Sequence, residues 1–278
     1  MKKIASLDEI KGIELGILIS FDKFCRENDI KYSLGAGTMI GAVRHRGFIP
    51  WDDDVDIFML RKEYDKFLEL VKQNNFTLDE IFYHVLNPEN EKNVYPFIKI
   101  VDSRTIAYER DRKKKYMNGI WMDIFPIDCC GDTDKEVLEV IKYMKKNTIK
   151  LERTMMHYSD DTVLGKIKNI YLFFMQNVMR CKYEKYKNRV ITFKFPSNGK
   201  YYGTVSWPYY KGNGLCDVYP KEYFEGYTEK EFEGHKFMVF KHYDEILSHR
   251  YGDYMQLPDE KDRVNHGMEA YLLEEEVR

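Results

Sequence analysis

The sequence predicts an α+β fold, a mixed β-sheet core with flanking helices and a helical region in the second half, and two observations carry that expectation. Up to residue 131, short apolar runs of strand character alternate with stretches whose apolar residues recur every three or four positions. From Asp132 to Arg189 only the three- and four-residue spacing remains. Strands interleaved with helices bury their apolar faces by stacking helices on a sheet. At 278 residues the chain lies near the upper limit of one hydrophobic core. No low-complexity linker or internal repeat divides it, so residues 1–278 are expected to form a single composite domain. Its parts are a motif-bearing core over 1–131, a helical region over 132–190 and a C-terminal region over 191–278 that completes the site.

Ser6 followed by Glu9 is a capping-box pattern, and Ile10, Ile13, Ile17, Leu18, Phe21, Phe24 and Cys25 follow at helical spacing, so a long amphipathic helix opens the fold. Residues 30–34 read as a short strand, which Gly35-Ala36-Gly37-Thr38 breaks ahead of a short helix over 39–44. Residues 55–60 are a strand, 62–72 an amphipathic helix, and 95–101 and 121–127 further strands. Val137, Ile141 and Met144, then Ile167, Ile170, Tyr171, Phe174 and Val178, mark helices. Residues 195–220, rich in Gly, Tyr and Pro, read as loop; a hairpin around Glu233-Gly234-His235 and a helix over 243–250 follow.

Composition excludes several function classes. Lys and Arg number 44 against 46 Asp and Glu, a formal charge of −2, which leaves no global field to recruit nucleic acid. Aromatic residues at 15% are too many for a disordered chain. The N-terminus meets Asp8, Glu9 and Lys11 before any long apolar run, so no secretory signal is expected. The most apolar window, 163–181, is interrupted by Lys166, Lys168, Asn169, Gln176, Asn177 and Arg180, so no transmembrane segment is expected. Five cysteines without a Cys-x-x-Cys pair favour reduced thiols in the cytosol, with the adjacent Cys129 and Cys130 read as packing.

The informative segment is 32–60. Asp52, Asp53 and Asp54 precede Val55 and Asp56, after which the chain turns apolar at Ile57, Phe58 and Met59. Strand alternation sends Asp54 and Asp56 to one face. Two carboxylates beside an apolar run repel each other unless a cation lies between them, and paired hard oxygens suit Mg²⁺ or Mn²⁺ completed by water and substrate phosphate. The Gly-Ala-Gly-Thr break upstream places backbone amides and the Thr38 hydroxyl to cradle a phosphate. Together the two features point to phosphoryl transfer from an activated nucleotide. A third carboxylate is found at Asp123, inside the apolar Trp-Met-Asp-Ile-Phe-Pro segment where an unpaired charge would be costly. Asp128 and Asp102 read instead as turn residues.

The block GAGTMIGAVRHRGFIPWDDDVDIF resembles the signature of the LicD phosphotransferases, and WMDIFPID, HRYGDYMQLP and Arg263-x-x-His266 are similar to that family's later motifs in the same order. The resemblance spans nearly the full length. It implies a nucleotidyltransferase-like core in which Gly37-Thr38 precedes an Asp54-Val55-Asp56 strand and Asp123 arrives on a neighbouring strand. It also implies an activity, transfer of phosphocholine from CDP-choline to sugar hydroxyls of teichoic acid, lipopolysaccharide or capsule with release of CMP. Relatives such as fukutin-related protein transfer ribitol phosphate, and glycerol phosphate and phosphoethanolamine are further alternatives. A nucleotidyltransferase that attaches NMP, and a non-catalytic nucleotide- or glycan-binding module, are the other readings; the module would have no reason to carry all three aspartates.

On this resemblance Asp54, Asp56 and Asp123 are expected to be catalytic and to hold Mg²⁺ or Mn²⁺, with Asp123 serving as ligand, general base or both. The unusually long stretch between Thr38 and Asp54 makes Arg44, His45 and Arg46 candidates for phosphate contacts. Gly37, Thr38, Trp51, Asp53, Lys99, Trp121, Arg263 and His266 complete the expected substrate contacts, Lys99 being equally readable as a solvent-facing strand lysine. Expected partners are CDP-choline or another CDP-alcohol and a glycan acceptor that a lipid can carry, reached from the cytoplasm at the inner face of the plasma membrane. A choline head group would sit against aromatic faces, drawn from Tyr201, Tyr202, Trp207, Tyr209 and Tyr210 or from Trp51 and Trp121. The apolar, basic segment 166–189 reads first as a bundle helix with a solvated basic end and second as a peripheral contact with an anionic membrane.

Overall fold

The structure is a computed structural model that describes all residues except 79, 80, 111, 115, 116, 158–161, 179–181, 209–214, 264, 266 and 275–278. In chain order its elements are β1 (Lys2–Lys3), α1 (Leu7–Glu27), β2 (Ser33–Leu34), α2 (Ala36–Ile40), β3 (Asp56–Leu60), α3 (Arg61–Gln73), β4 (Tyr83–Leu86), β5 (Ile98–Asp102), β6 (Thr105–Tyr108) and β7 (Trp121–Gly131). The second half contains α4 (Asp134–Met155), α5 (Val163–Phe173), α6 (Tyr183–Ile191), β8 (Tyr201–Gly203), β9 (Val218–Pro220), β10 (Tyr227–Phe232), β11 (His235–Phe240), α7 (Tyr243–Tyr251) and β12 (Glu269–Leu272). Helices accompany mixed, mostly antiparallel sheets, as in an α+β fold.

The central sheet has the order β2-β3-β7-β5-β4. Only β3 and β7 run parallel in it; β2, β5 and β4 join antiparallel. Strand β7 outlasts its neighbours, and its far end pairs with β8, which pairs with β9. Part of the segment read as loop over 195–220 is therefore sheet. The extension also takes Asp128 out of its expected turn. Asp128 is buried in β7, and both its oxygens accept from Arg61, at 2.7 and 2.8 Å. Asp102 behaves as expected, its carboxylate accepting from the Arg104 backbone N–H at 2.9 Å.

Helix α1 starts where the sequence places it, with the Ser6 hydroxyl accepting from the Glu9 N–H at 3.1 Å. Its buried face, including Ile17, Leu18, Phe21 and Phe24, joins the main core with Tyr32 and Phe67, and Phe21 meets both of those rings edge-on at 4.9 and 5.5 Å. Helix α4 is capped by the reciprocal Thr133–Glu136 box and buries Val137, Ile141, Met144, Thr148, Leu151 and Met155 at three- and four-residue intervals. Each large apolar side chain of that kind contributes about 2 kcal/mol when fully buried. The hairpin of β10 and β11 turns through Glu233 and Gly234, both with positive φ (50° and 76°), the primed-turn geometry that matches strand twist.

Helix α5 departs from the bundle reading. Ile167, Ile170, Tyr171 and Phe174 are all exposed, and α5 buries only Gly165 and Leu172 among its described residues. Helical spacing shows that a helix has one apolar face; it carries no information on whether a neighbour covers that face. Among the described residues no helix is long and apolar enough to cross a membrane.

Candidate active site

The parallel pairing of β3 with β7 sets Asp56 opposite Asp123, and the antiparallel pairing of β5 with β7 sets Lys99 opposite the same Asp123. Directly paired residues share a sheet face, so two carboxylates and an ammonium stand in a row across three strands. The turn before α2 fixes the start of β3. The Gly35 N–H donates to the Asp56 carbonyl at 2.8 Å, and the Asp56 N–H donates to the Thr38 hydroxyl at 2.9 Å. Thr38 is buried, so its hydroxyl holds the strand that carries Asp56.

Alternation extends back from β3 into the acidic loop. Asp52, Asp54 and Asp56 line one cavity of about 430 Å³, and Asp123 joins them. Asp53 points the other way; it is 2% exposed and its Oδ2 accepts from the Met268 N–H at 3.0 Å, tying the loop to the chain ahead of β12. Gly37 also lines the cavity, and a Cβ there would lie 2.6 Å from Asp52 Oδ2, so a side chain at this position would displace the Asp52 carboxylate.

Much of the rest of the lining is aromatic. Tyr95, Phe97, Trp121, Phe125 and Trp207 all line the cavity. Trp207 stands edge-on to Tyr95 and Phe97 at 5.4 and 5.7 Å, and Phe97 lies 4.4 Å from Phe125. Two guanidinium groups complete the lining. Arg112 is held by Glu109 at 3.3 Å and Glu152 at 3.1 Å, while Tyr95 donates its hydroxyl to Glu109 at 2.7 Å. Arg250 is paired with the buried Asp217. Both cations are permanent and fixed in place.

The LicD/FKTN/FKRP nucleotidyltransferase-domain family matches residues 29–164. Over 98% of its length the chain is 36% identical to the lipopolysaccharide cholinephosphotransferase LicD of Haemophilus influenzae, all of which is covered. The chain belongs to the LicD family. It is accordingly a transferase. Uncharacterised proteins of Rickettsia typhi and Rickettsia prowazekii are each 30% identical over 42% of the chain, covering 43% and 51% of their own lengths. The LicD family match takes in the acidic loop, β5, β7 and Glu152, whereas Trp207, Arg250 and Tyr251 lie beyond it and enter through the full-length similarity.

Lys99 in this LicD-family chain is neither solvent-facing nor a lining residue of the cavity. Its ammonium donates to both oxygens of Asp123, at 2.6 and 2.9 Å, beneath the rings of Trp121 and Tyr95 at 4.4 and 4.5 Å. Among the described residues no three acidic, histidine or cysteine side chains converge as a ready-made metal centre. The donor set nevertheless suits Mg²⁺ or Mn²⁺, because Asp54 and Asp56 open on the same cavity, and such ions bind through one or two carboxylates completed by substrate phosphate and water.

The remaining expected contacts form a second group that does not line the cavity. Arg44 donates to the carbonyls of Tyr254 and Gln256 at 2.5 and 3.3 Å. Burial and the charges of Arg44 and Lys11 hold the neighbouring His45 imidazole below its usual range. Trp51 lies 6.5 Å from His45 and beneath the Arg263 guanidinium at 5.0 Å, and Arg263 also donates to the Pro258 carbonyl at 3.1 Å. These residues brace the acidic loop against the C-terminal segment. Arg46 is exposed with a left-handed backbone (φ 56°). His266, Tyr209 and Tyr210 lie outside the described residues.

Sequence reasoning missed Tyr95, Phe97, Glu109, Arg112, Glu152 and Arg250 in the cavity, and Glu14 behind it. Glu14 is fully buried on α1, and both its oxygens lack a hydrogen-bond partner among the described residues. Burial pushes its carboxyl well above the usual range, and the charges of Asp54, Asp53 and Asp52 push it further. A glutamate four positions after Ile10 and three before Ile17, on the core stripe, was the available signal.

Proposed function

We propose that this enzyme transfers phosphocholine from CDP-choline to a sugar hydroxyl of a cell-surface glycan such as lipopolysaccharide, releasing CMP. The observation that carries the proposal is the composition of one cavity. Carboxylates at Asp52, Asp54, Asp56 and Asp123 share it with the aromatic rings of Tyr95, Phe97, Trp121 and Trp207 and with Arg112 and Arg250. Aromatic faces and acidic groups suit a quaternary ammonium, and fixed arginines suit a diphosphate. The full-length similarity to a lipopolysaccharide cholinephosphotransferase supports the same donor group.

In the reaction, the acceptor oxygen forms a bond to the phosphorus that bears choline, and the bond from that phosphorus to the bridging oxygen of CMP breaks. Asp54 and Asp56 would hold Mg²⁺ or Mn²⁺, which when bound neutralises the charge developing on the phosphates. Arg112 and Arg250 bind the diphosphate and retain the leaving CMP. Asp123, held at both oxygens by Lys99, orients the acceptor hydroxyl and takes its proton. No strong base is needed there, because in a loose phosphoryl-transfer transition state the nucleophile need not be deprotonated early.

A thermal-shift comparison of CDP-choline, CDP-ethanolamine, CDP-glycerol and CDP-ribitol with Mg²⁺ tests the donor. CDP-choline is expected to raise the melting temperature most. No stabilisation by any of the four would remove the CDP-alcohol class, and a larger shift with CDP-glycerol or CDP-ribitol would remove choline.

A further inference from the structure

Seven of the seventeen exposed large apolar side chains among the described residues fall within the twelve positions 163–174. At about 100° per residue, Val163, Leu164, Ile167, Ile170 and Tyr171 share an arc of about 120° on the outer side of α5. Lys166 and Lys168 project about 40° beyond either edge of that arc. Gly165 and Leu172, the buried positions of the helix, lie opposite. The helix thus turns its apolar stripe to solvent and flanks it with cations whose stems can lie along an apolar surface while the ammonium groups stay in water.

We infer that α5 is an interfacial helix that docks on an anionic lipid bilayer. Charge selects this occupant. Helix α5 carries Lys166 and Lys168 and no acidic residue, in a chain whose formal charge is −2. A second copy of the chain would bring the same positive segment to the interface and repel it, whereas anionic head groups complement it. An apolar face rich in Ile, Leu and aromatic residues with lysines at its borders is the pattern of a helix lying in the plane of a membrane surface.

The segment that carries the docking face is tied to the chain beside the cavity. Gln176, just past α5, donates to the carbonyls of Arg153 and Met156 at 2.8 and 3.3 Å and accepts from Lys113. Arg153 and Lys113 are the chain neighbours of Glu152 and Arg112, which line the cavity. Docking would therefore hold the cavity beside the lipid surface, where a lipid-carried glycan acceptor is presented. The docking itself does not depend on which group the enzyme transfers.

Vesicle flotation tests the inference, using vesicles of about three parts phosphatidylcholine to one part phosphatidylglycerol beside vesicles of phosphatidylcholine alone. The full chain is expected to float with the anionic vesicles and to bind the neutral ones at least about tenfold more weakly. Ile167→Glu/Ile170→Glu should abolish flotation, and Lys166→Gln/Lys168→Gln should weaken it severalfold. An unchanged melting temperature and an unchanged thermal shift with CDP-choline would show that fold and cavity are intact in both variants. Failure of the wild type to float, flotation indifferent to both double substitutions, or a stable dimer that Ile167→Glu/Ile170→Glu dissociates would each overturn it.

Discussion

Lys99 and Asp123 face each other across β5 and β7, and the lysine, 3% exposed at its side chain, donates to both carboxylate oxygens at 2.6 and 2.9 Å. A buried charge is tolerated because its partner is buried with it, and removing one partner leaves the other uncompensated. Lys99→Met is expected to destabilise the protein by about 3 kcal/mol in urea unfolding, the lower end of the range for a broken buried pair, because Asp123 opens on the cavity. A variant as stable as wild type would show that the pair does not hold the site.

Asp54 and Asp56 line the cavity from the acidic loop and the start of β3. Removing one charge from either, by Asp54→Asn or Asp56→Asn, should lower kcat at least about a hundredfold, equivalent to about 3 kcal/mol of transition-state stabilisation. The melting temperature without ligand should stay close to that of wild type. Retained activity in either variant with Mg²⁺ present would remove that residue from the metal assignment.

Trp207 stands edge-on to Tyr95 and Phe97 in the cavity lining. A desolvated cation against an aromatic face gains about 1–2 kcal/mol, so Trp207→Leu should raise KM for CDP-choline by about five- to thirtyfold. Binding of CDP-glycerol, which has no cationic head, should be much less affected. Equal losses for both donors would place the tryptophan in packing alone.

The three aspartates and their order along the chain were legible in the sequence, since alternation alone places Asp54 with Asp56 and the apolar setting of Asp123 demands a partner. The partner itself was not. That Lys99 pairs with Asp123 depends on the register of β5 against β7, which one strand pattern cannot supply. Arg112 sits in a basic run, and its partner Glu152 comes from 40 residues further along the chain, on α4. Asp128 was misread because Cys-Cys-Gly looks like a turn, whereas pairing with β8 keeps the strand extended. For α5 the periodicity was right and its direction was not, because packing decides which way a stripe points.

Glu14 sets a pH dependence. Its folded-state carboxyl keeps its proton above the pH at which the unfolded chain has released it, so the folded state binds more protons and stability falls as pH rises from the ordinary carboxylate range toward the raised folded value. The slope contributed by this one group approaches about 1.4 kcal/mol per pH unit. Glu14→Gln, which cannot ionise, should flatten that fall and be more stable than wild type at neutral pH. Parallel stability profiles for the two proteins between pH 5 and 8 would contradict this assignment.

The most direct measurement follows the products of CDP-choline incubated with the enzyme, Mg²⁺ and lipopolysaccharide that lacks phosphocholine. CMP and glycan-bound phosphocholine are expected in equal amounts with the wild type, and neither with Asp56→Asn. Cytidylyl groups on the glycan with free phosphocholine in solution, or no CMP from the wild type, would contradict phosphocholine transfer at this cavity.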